Sequence, residues 1–114
     1  MSGYVLDYLE LPSSDNARSR DFFGKVFGWT SVHFGGTYDE IHGAGLLAGI
    51  NGDAADRSAA PIPVIRTDNL EKAEADVVAA GGAITRMPYD YPGGRRFFFR
   101  EPGGAELAVY APND

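Results

Sequence analysis

Apolar and polar positions alternate in two different rhythms along this chain. From Asp15 to Trp29, DNARSRDFFGKVFGW, the apolar residues Phe22, Phe23, Val26 and Phe27 fall at three- and four-residue spacing. That is the period of one helical face, with Arg18, Arg20 and Lys25 expected on the outside. A cryptic copy returns from Asp68 to Gly82, DNLEKAEADVVAAGG, in which Asp68 and Gly81 each lie 53 positions after Asp15 and Gly28. Each copy opens on Asp-Asn, where an Asp caps the free N–H groups, and closes at a glycine able to turn left-handed. The chain therefore reads as two related halves, and a functional site is expected between them.

The remaining runs are short and β-prone. Tyr4 to Leu11 reads as a strand stopped by Pro12-Ser13-Ser14, and its alternation places Leu6, Tyr8 and Glu10 opposite Val5, Leu9 and Leu11. Trp29 to Phe34, Thr37 to His42 and Leu46 to Asn51 are separated by Gly35-Gly36 and by Gly43 to Gly45, the signature of an antiparallel meander. Gly52 to Ala60 is small, polar and unpatterned, a linker between a module at 1–51 and one at 61–114. The second half repeats the order with strands at Ile62 to Arg66 and Ala83 to Met87, then a hairpin of Arg95 to Arg100 and Ala105 to Tyr110 across Glu101-Pro-Gly-Gly. Pro88 to Gly94, PYDYPGG, reads equally as a lid or as a stiff surface turn. Phe97, Phe98 and Phe99 cannot share a face, so a site wall at Phe98 implies that its neighbours pack under a helix.

With 114 residues and no cysteine, the chain is expected to be one domain of two modules, free of disulfides and thiolate metal sites. Apolar residues at 44% suffice for a globular core. A net charge of −6 argues against nucleic acid, which needs a basic face. No run approaches a signal-peptide core or a membrane span, so a cytoplasmic protein with no membrane partner is expected.

An α+β fold of two β-α-β-β-β modules, with a first helix ending FFGKVFGW and a last hairpin REPGGAELAVY, resembles the vicinal oxygen chelate superfamily of glyoxalases, bleomycin-resistance proteins and extradiol dioxygenases. The likeness also rests on LELPSSDNARSRDFFGKVFGW, on Tyr38 to Ile50 ending Leu-Ala-Gly-Ile, and on VIRTDNLEKAEADVVAAGG. Within the superfamily the chain is similar to small bacterial glyoxalase-like proteins of uncharacterised activity. The resemblance implies two modules forming a curved, incomplete barrel over a central cleft, and a homodimer.

It also implies a test, because enzymes of that superfamily hold a divalent ion with side chains on the first and last strands of each module. Carried over, those positions are Tyr8, Gly49, Ile62 and Ala108, and only the tyrosine could be a ligand. No cofactor is expected there. An alternative divalent site would combine Glu10 and Glu106 with His33 or His42.

The favoured reading is a protein that binds a small organic ligand without the superfamily's metal, its wall formed by Tyr8, Glu10, Phe34, Tyr38, Tyr89, Tyr91, Arg96 and Phe98, with Glu106 nearer the closing turn. Glu10, enclosed by Tyr8 and Leu6, is the candidate base if metal-free proton transfer occurs. A metal-dependent glyoxalase-like lyase or isomerase and a non-catalytic protein-interaction subunit are the two alternatives. Trp29 is expected in the core or at the module interface.

Overall fold

The structure, a computed structural model, describes residues 3–113. Its elements are β1 (Val5–Pro12), α1 (Asn16–Phe27), β2 (Thr30–His33), β3 (Tyr38–His42), β4 (Leu47–Asn51), β5 (Ile62–Arg66), α2 (Leu70–Ala79), β6 (Ala83–Tyr91), β7 (Gly94–Arg100) and β8 (Glu106–Pro112). This is the expected α+β order, β-α-β-β-β twice. Contacts divide the chain into two compact units, residues 8–62 and residues 63–113 with 3–7.

In the first unit the strands run β2-β3-β4-β1, and neither sheet closes on itself. β2, β3 and β4 form the expected antiparallel meander, while β1 lies parallel to β4 with Glu10 opposite Gly49. One face takes α1: Ile41, Ala48 and Ile50 are buried there, with Leu9, Leu11, Phe23 and Trp29 packed against them. The Asp15 carboxylate accepts from the Arg18 N–H at 3.1 Å, and Gly28 ends the helix at φ 72°. Both caps fall where the sequence places them.

The packing face of α1 is narrower than its apolar pattern. Phe22, Val26 and Phe27 remain 56%, 56% and 55% exposed, and only Phe23 of the four reaches the sheet core. For Phe22 and Val26 the reason is angular: at about 100° per residue they lie about 100° and 60° around the helix from Phe23, whereas Phe27, in the last turn, stacks on Trp29. Phe23 lies on the covered side, and Arg20, read from sequence as an outer residue, lies there too, paired at 2.9 Å with Asp39.

In the second unit the order is β5-β8-β7-β6, with β5 parallel to β8. Phe97 and Phe99 pack with Leu70, Ala73 and Val109 beneath α2, while Phe98 faces the other way and stacks with Tyr89. Here two sequence readings change. The cap of α2 is Asn69, whose side chain accepts from the Lys72 N–H at 3.1 Å, not Asp68. Asp-Asn offers two competent caps in a row, and the turn that Thr67 makes with the Asn69 N–H selects the second.

Most of the stretch from Pro88 to Gly94 is strand, not loop. β6 continues to Tyr91, with Tyr89 opposite Arg96 and Tyr91 opposite Gly94, and the turn is confined to Pro92-Gly93. Pro88 is tolerated because it sits within the register shift between Arg86 and Tyr89, where the ladder is already interrupted. The closing turn is as expected, the Glu101 carboxylate accepting from the N–H groups of Gly103 and Ala105. Those bonds hold that carboxyl below its ordinary range. No described helix is long and apolar enough to cross a membrane.

Candidate functional site

Strand alternation and register bring one set of polar side chains together on the face of the first sheet turned away from α1. Tyr8 and Glu10 on β1, Gly49 and Asn51 on β4, and Tyr38 and Glu40 on β3 share it, because Gly49 stands opposite both Glu10 and Glu40. The hydroxyls of Tyr8 and Tyr38 lie 2.7 Å apart. They meet directly above Gly49, where a Cβ would lie only 2.3 Å from the Tyr8 oxygen and 2.0 Å from that of Tyr38. Glycine at 49 is thus what lets two phenols from different strands converge.

Glu10 is 3% exposed and accepts from the Asn51 side-chain amide at 3.3 Å. The same amide nitrogen donates to Asp56 at 2.8 Å, and the Asn51 oxygen accepts from the Asp53 N–H. Asn51 therefore ties a buried carboxylate to the segment after β4. Next along β3, His42 pairs with Glu40 at 2.9 Å and borders a shallow depression of about 240 Å³ shared with Leu46 and Leu47. Leu47 stands opposite Tyr8.

The other residues singled out from sequence fall elsewhere. Tyr89, Tyr91, Arg96 and Phe98 gather in the second unit as a layered stack. The Arg96 guanidinium lies 4.5 Å from the Tyr91 ring and 5.1 Å from that of Phe98, and its Nε donates to the Tyr89 hydroxyl at 2.7 Å. Arg86, which sequence reasoning missed, joins it 4.7 Å from Tyr89 and 4.8 Å from Phe98. Phe34 follows β2 and is 62% exposed. Glu106 accepts from the Thr85 hydroxyl at 2.6 Å.

A second cluster, on the α1 face, also escaped the sequence reading. Asp39 has no exposed surface, yet its carboxylate is bonded to Arg20 at 2.9 Å, His33 at 2.8 Å and Asn16 at 2.8 Å. Burial pushes its carboxyl up, but the bonds from Asn16, His33 and Arg20 outweigh burial and hold it below its ordinary value. Alternation gave the signal: Asp39 shares the inward parity of Ile41. In the second unit burial, and then the charge of Asp7, raise the Tyr110 hydroxyl, which lies 3.2 Å from that carboxylate.

A sequence profile described as the Glyoxalase/Bleomycin resistance protein/Dioxygenase superfamily matches residues 5–109. The chain belongs to that superfamily. Searching curated proteins gives no match. Among solved structures, a hypothetical protein of Bacillus halodurans C-125 is similar at a TM-score of 0.79 and 9% identity, over 99% of this chain and 97% of that one. Methylmalonyl-CoA epimerase of Mycobacterium tuberculosis gives 0.70 and 14%, over 96% and 88%. The Mn(II)-bound glyoxalase of Novosphingobium aromaticivorans gives 0.64 and 20%, over 94% of this chain but 39% of that longer one. At such identities these likenesses establish the fold alone.

The divalent ion used by enzymes of the superfamily can be tested against the residues present. Gly49 has no side chain, and the space above it is filled by two tyrosine hydroxyls. Ile62 and Ala108, 3% and 0% exposed, offer no donor. Among the described residues no three of His, Asp or Glu assemble into a set able to hold an ion. His33 and His42, the histidines of the alternative site, are each paired with a carboxylate of their own hairpin. These residues do not fit the ion.

Proposed function

We propose that this chain is a ligand-binding member of its superfamily that takes a small organic molecule without the superfamily's divalent ion. One observation carries the reading: the position at which the fold would present a metal ligand is Gly49, and the Tyr8 and Tyr38 hydroxyls have taken its space. Two phenols 2.7 Å apart can both donate and accept, so together they suit a carbonyl, hydroxyl or amide on a ligand. Val32 and Leu47, each about half exposed on the same face, supply apolar contact beside them. Glu10 is the buried carboxylate of that face, and it is the candidate base should the bound molecule exchange a proton. In the second unit Tyr89, Tyr91, Arg96 and Phe98 form an aromatic and cationic stack of their own.

Metal content after incubation with nickel, zinc, manganese and iron(II), followed by desalting, tests the first half of the reading. The expected result is no stoichiometric ion. A stoichiometric ion lost on Glu10→Gln or Glu106→Gln would overturn the reading in favour of a metal-dependent lyase or isomerase. Native mass spectrometry tests the second half: a small molecule is expected to copurify, and Tyr38→Phe is expected to weaken its binding by a factor of about 2–10, as loss of one hydrogen bond does.

A further inference from the structure

Strand β6 is bent so as to re-aim one cation. Its register against β7 shifts on both sides of Arg86. On a regular strand Ile84 and Arg86 would share a face. Here the first shift separates them: Ile84 packs with the core beneath α2, while Arg86 stands opposite Phe98, on the face turned away from that helix. The second shift lets Tyr89, three residues on, return to the face of Arg86. Bulges re-aim side chains in this way and are over-represented next to active sites.

Cations gather on that face. Arg66, Tyr110, Arg96 and Tyr89 stand opposite one another across β5, β8, β7 and β6, so guanidinium and phenol alternate along one line of the sheet. Arg86 lies on the next line, 4.8 Å from the Phe98 ring that Arg96 approaches to 5.1 Å. Arg96 is 4% exposed and Arg86 half-buried, whereas Arg66 is exposed. Asp7 and Glu106 bring carboxylates beside them, and each accepts from a hydroxyl, that of Tyr110 and that of Thr85.

A chain of net charge −6 thus concentrates three guanidiniums on one face of its second unit. Two of them, Arg86 and Arg96, bear on the same two rings, Tyr89 and Phe98. Like charges held against one pair of rings repel, and an anion between them replaces that repulsion with attraction. Ring contact engages the plane of a guanidinium and fixes its orientation. The five N–H donors lie on the edge, enough to serve protein acceptors and a ligand together.

We propose that this face binds the carboxylate or phosphate group of a small organic anion, Arg86 and Arg96 supplying the hydrogen bonds and Arg66 adding positive potential. The planar fork of a guanidinium matches the paired oxygens of either group. All the residues invoked belong to the second unit, so the proposal is independent of the tyrosine pair over Gly49. A stack that served only to hold the fold together would show no preference for an anion over a neutral molecule of the same shape.

The test is an NMR titration of the full chain, labelled with nitrogen-15, with benzoate, phenyl phosphate and neutral benzamide, three probes built on one phenyl ring. The arginine side-chain Nε signals report the contact in the wild type, so the reading does not depend on a variant that folds. At least one anion is expected to saturate with a Kd below about 20 mM, reasonable for so small a probe, and to move the Arg86 and Arg96 signals. Benzamide is expected to bind at least about 10-fold more weakly, and the tighter of the two anions identifies the group as carboxylate or phosphate. Folded Arg86→Gln is expected to weaken that anion about 10-fold or more. Failure of both anions to saturate below about 20 mM would overturn the proposal. So would benzamide binding as tightly as the anions, arginine signals that stay still as an anion binds, or an unchanged affinity in folded Arg86→Gln.

Discussion

Replacing Asp39 with Asn keeps the shape of the buried side chain and removes its charge, and so isolates what that charge contributes. The carboxylate takes bonds from Arg20, His33 and Asn16 at 2.8 to 2.9 Å, joining α1 to the β2–β3 hairpin. Breaking a wholly buried ion pair costs about 3–5 kcal/mol. Arg20 is 34% exposed and His33 55%, so water screens both partners and the expectation falls to about 2–3 kcal/mol. Urea denaturation at neutral pH should then show a midpoint about 1–2 M lower than the wild type with an unchanged slope. The pH dependence supplies a second check. The Asp39 carboxyl is held below its ordinary value of 3.8, so its contribution is complete above that value and disappears as pH falls further, through the folded-state value. The gap between wild type and variant should therefore be constant from neutral pH to about pH 4 and shrink below it. A variant within about 0.5 kcal/mol of the wild type, or a gap that persists undiminished in acid, would refute the reasoning.

Three further outcomes are expected. Gly49→Ala forces a methyl group into the space held by the Tyr8 and Tyr38 hydroxyls and should cost about 1–3 kcal/mol in a denaturation titration, a loss partly recovered when both tyrosines are changed to Phe. Asn69→Ala should cost about 1 kcal/mol and Asp68→Ala a few tenths at most, since only the former caps α2; equal losses would contradict that assignment. Phe97→Ala, at a side chain with no exposure, should cost about 3–5 kcal/mol, whereas Phe22→Ala should change the stability of the single chain by less than about 0.5 kcal/mol, both read from thermal or urea unfolding.

Much of the candidate site can be read from strand parity. Tyr8 and Glu10 follow from β1, Tyr38 from β3, and the division of Phe98 from Phe97 and Phe99 from β7, because side-chain direction repeats every two residues whatever the sheet packs against. Asn51 was not legible, since its value comes from bridging Glu10 and Asp56, residues 41 and 5 positions away. Nor was Arg86, whose place beside Phe98 depends on a β-bulge. The Pro88 stretch misled because proline and glycine mark turns locally, while pairing with β7 overrides that preference once a bulge absorbs the missing donor.

The sequence by itself determined the order of elements, the caps at Asp15 and Gly28, the turn at Glu101 and the absence of a ligand side chain at Gly49, Ile62 and Ala108. These follow from local backbone chemistry and from residue identity. Only the tertiary structure decided that two tyrosines meet above Gly49, that Asp39 is buried yet fully bonded, and that three apolar residues of α1 stay in water. Such facts depend on which strands become neighbours and on how wide an arc of a helix a sheet can cover, and periodicity along one chain carries neither.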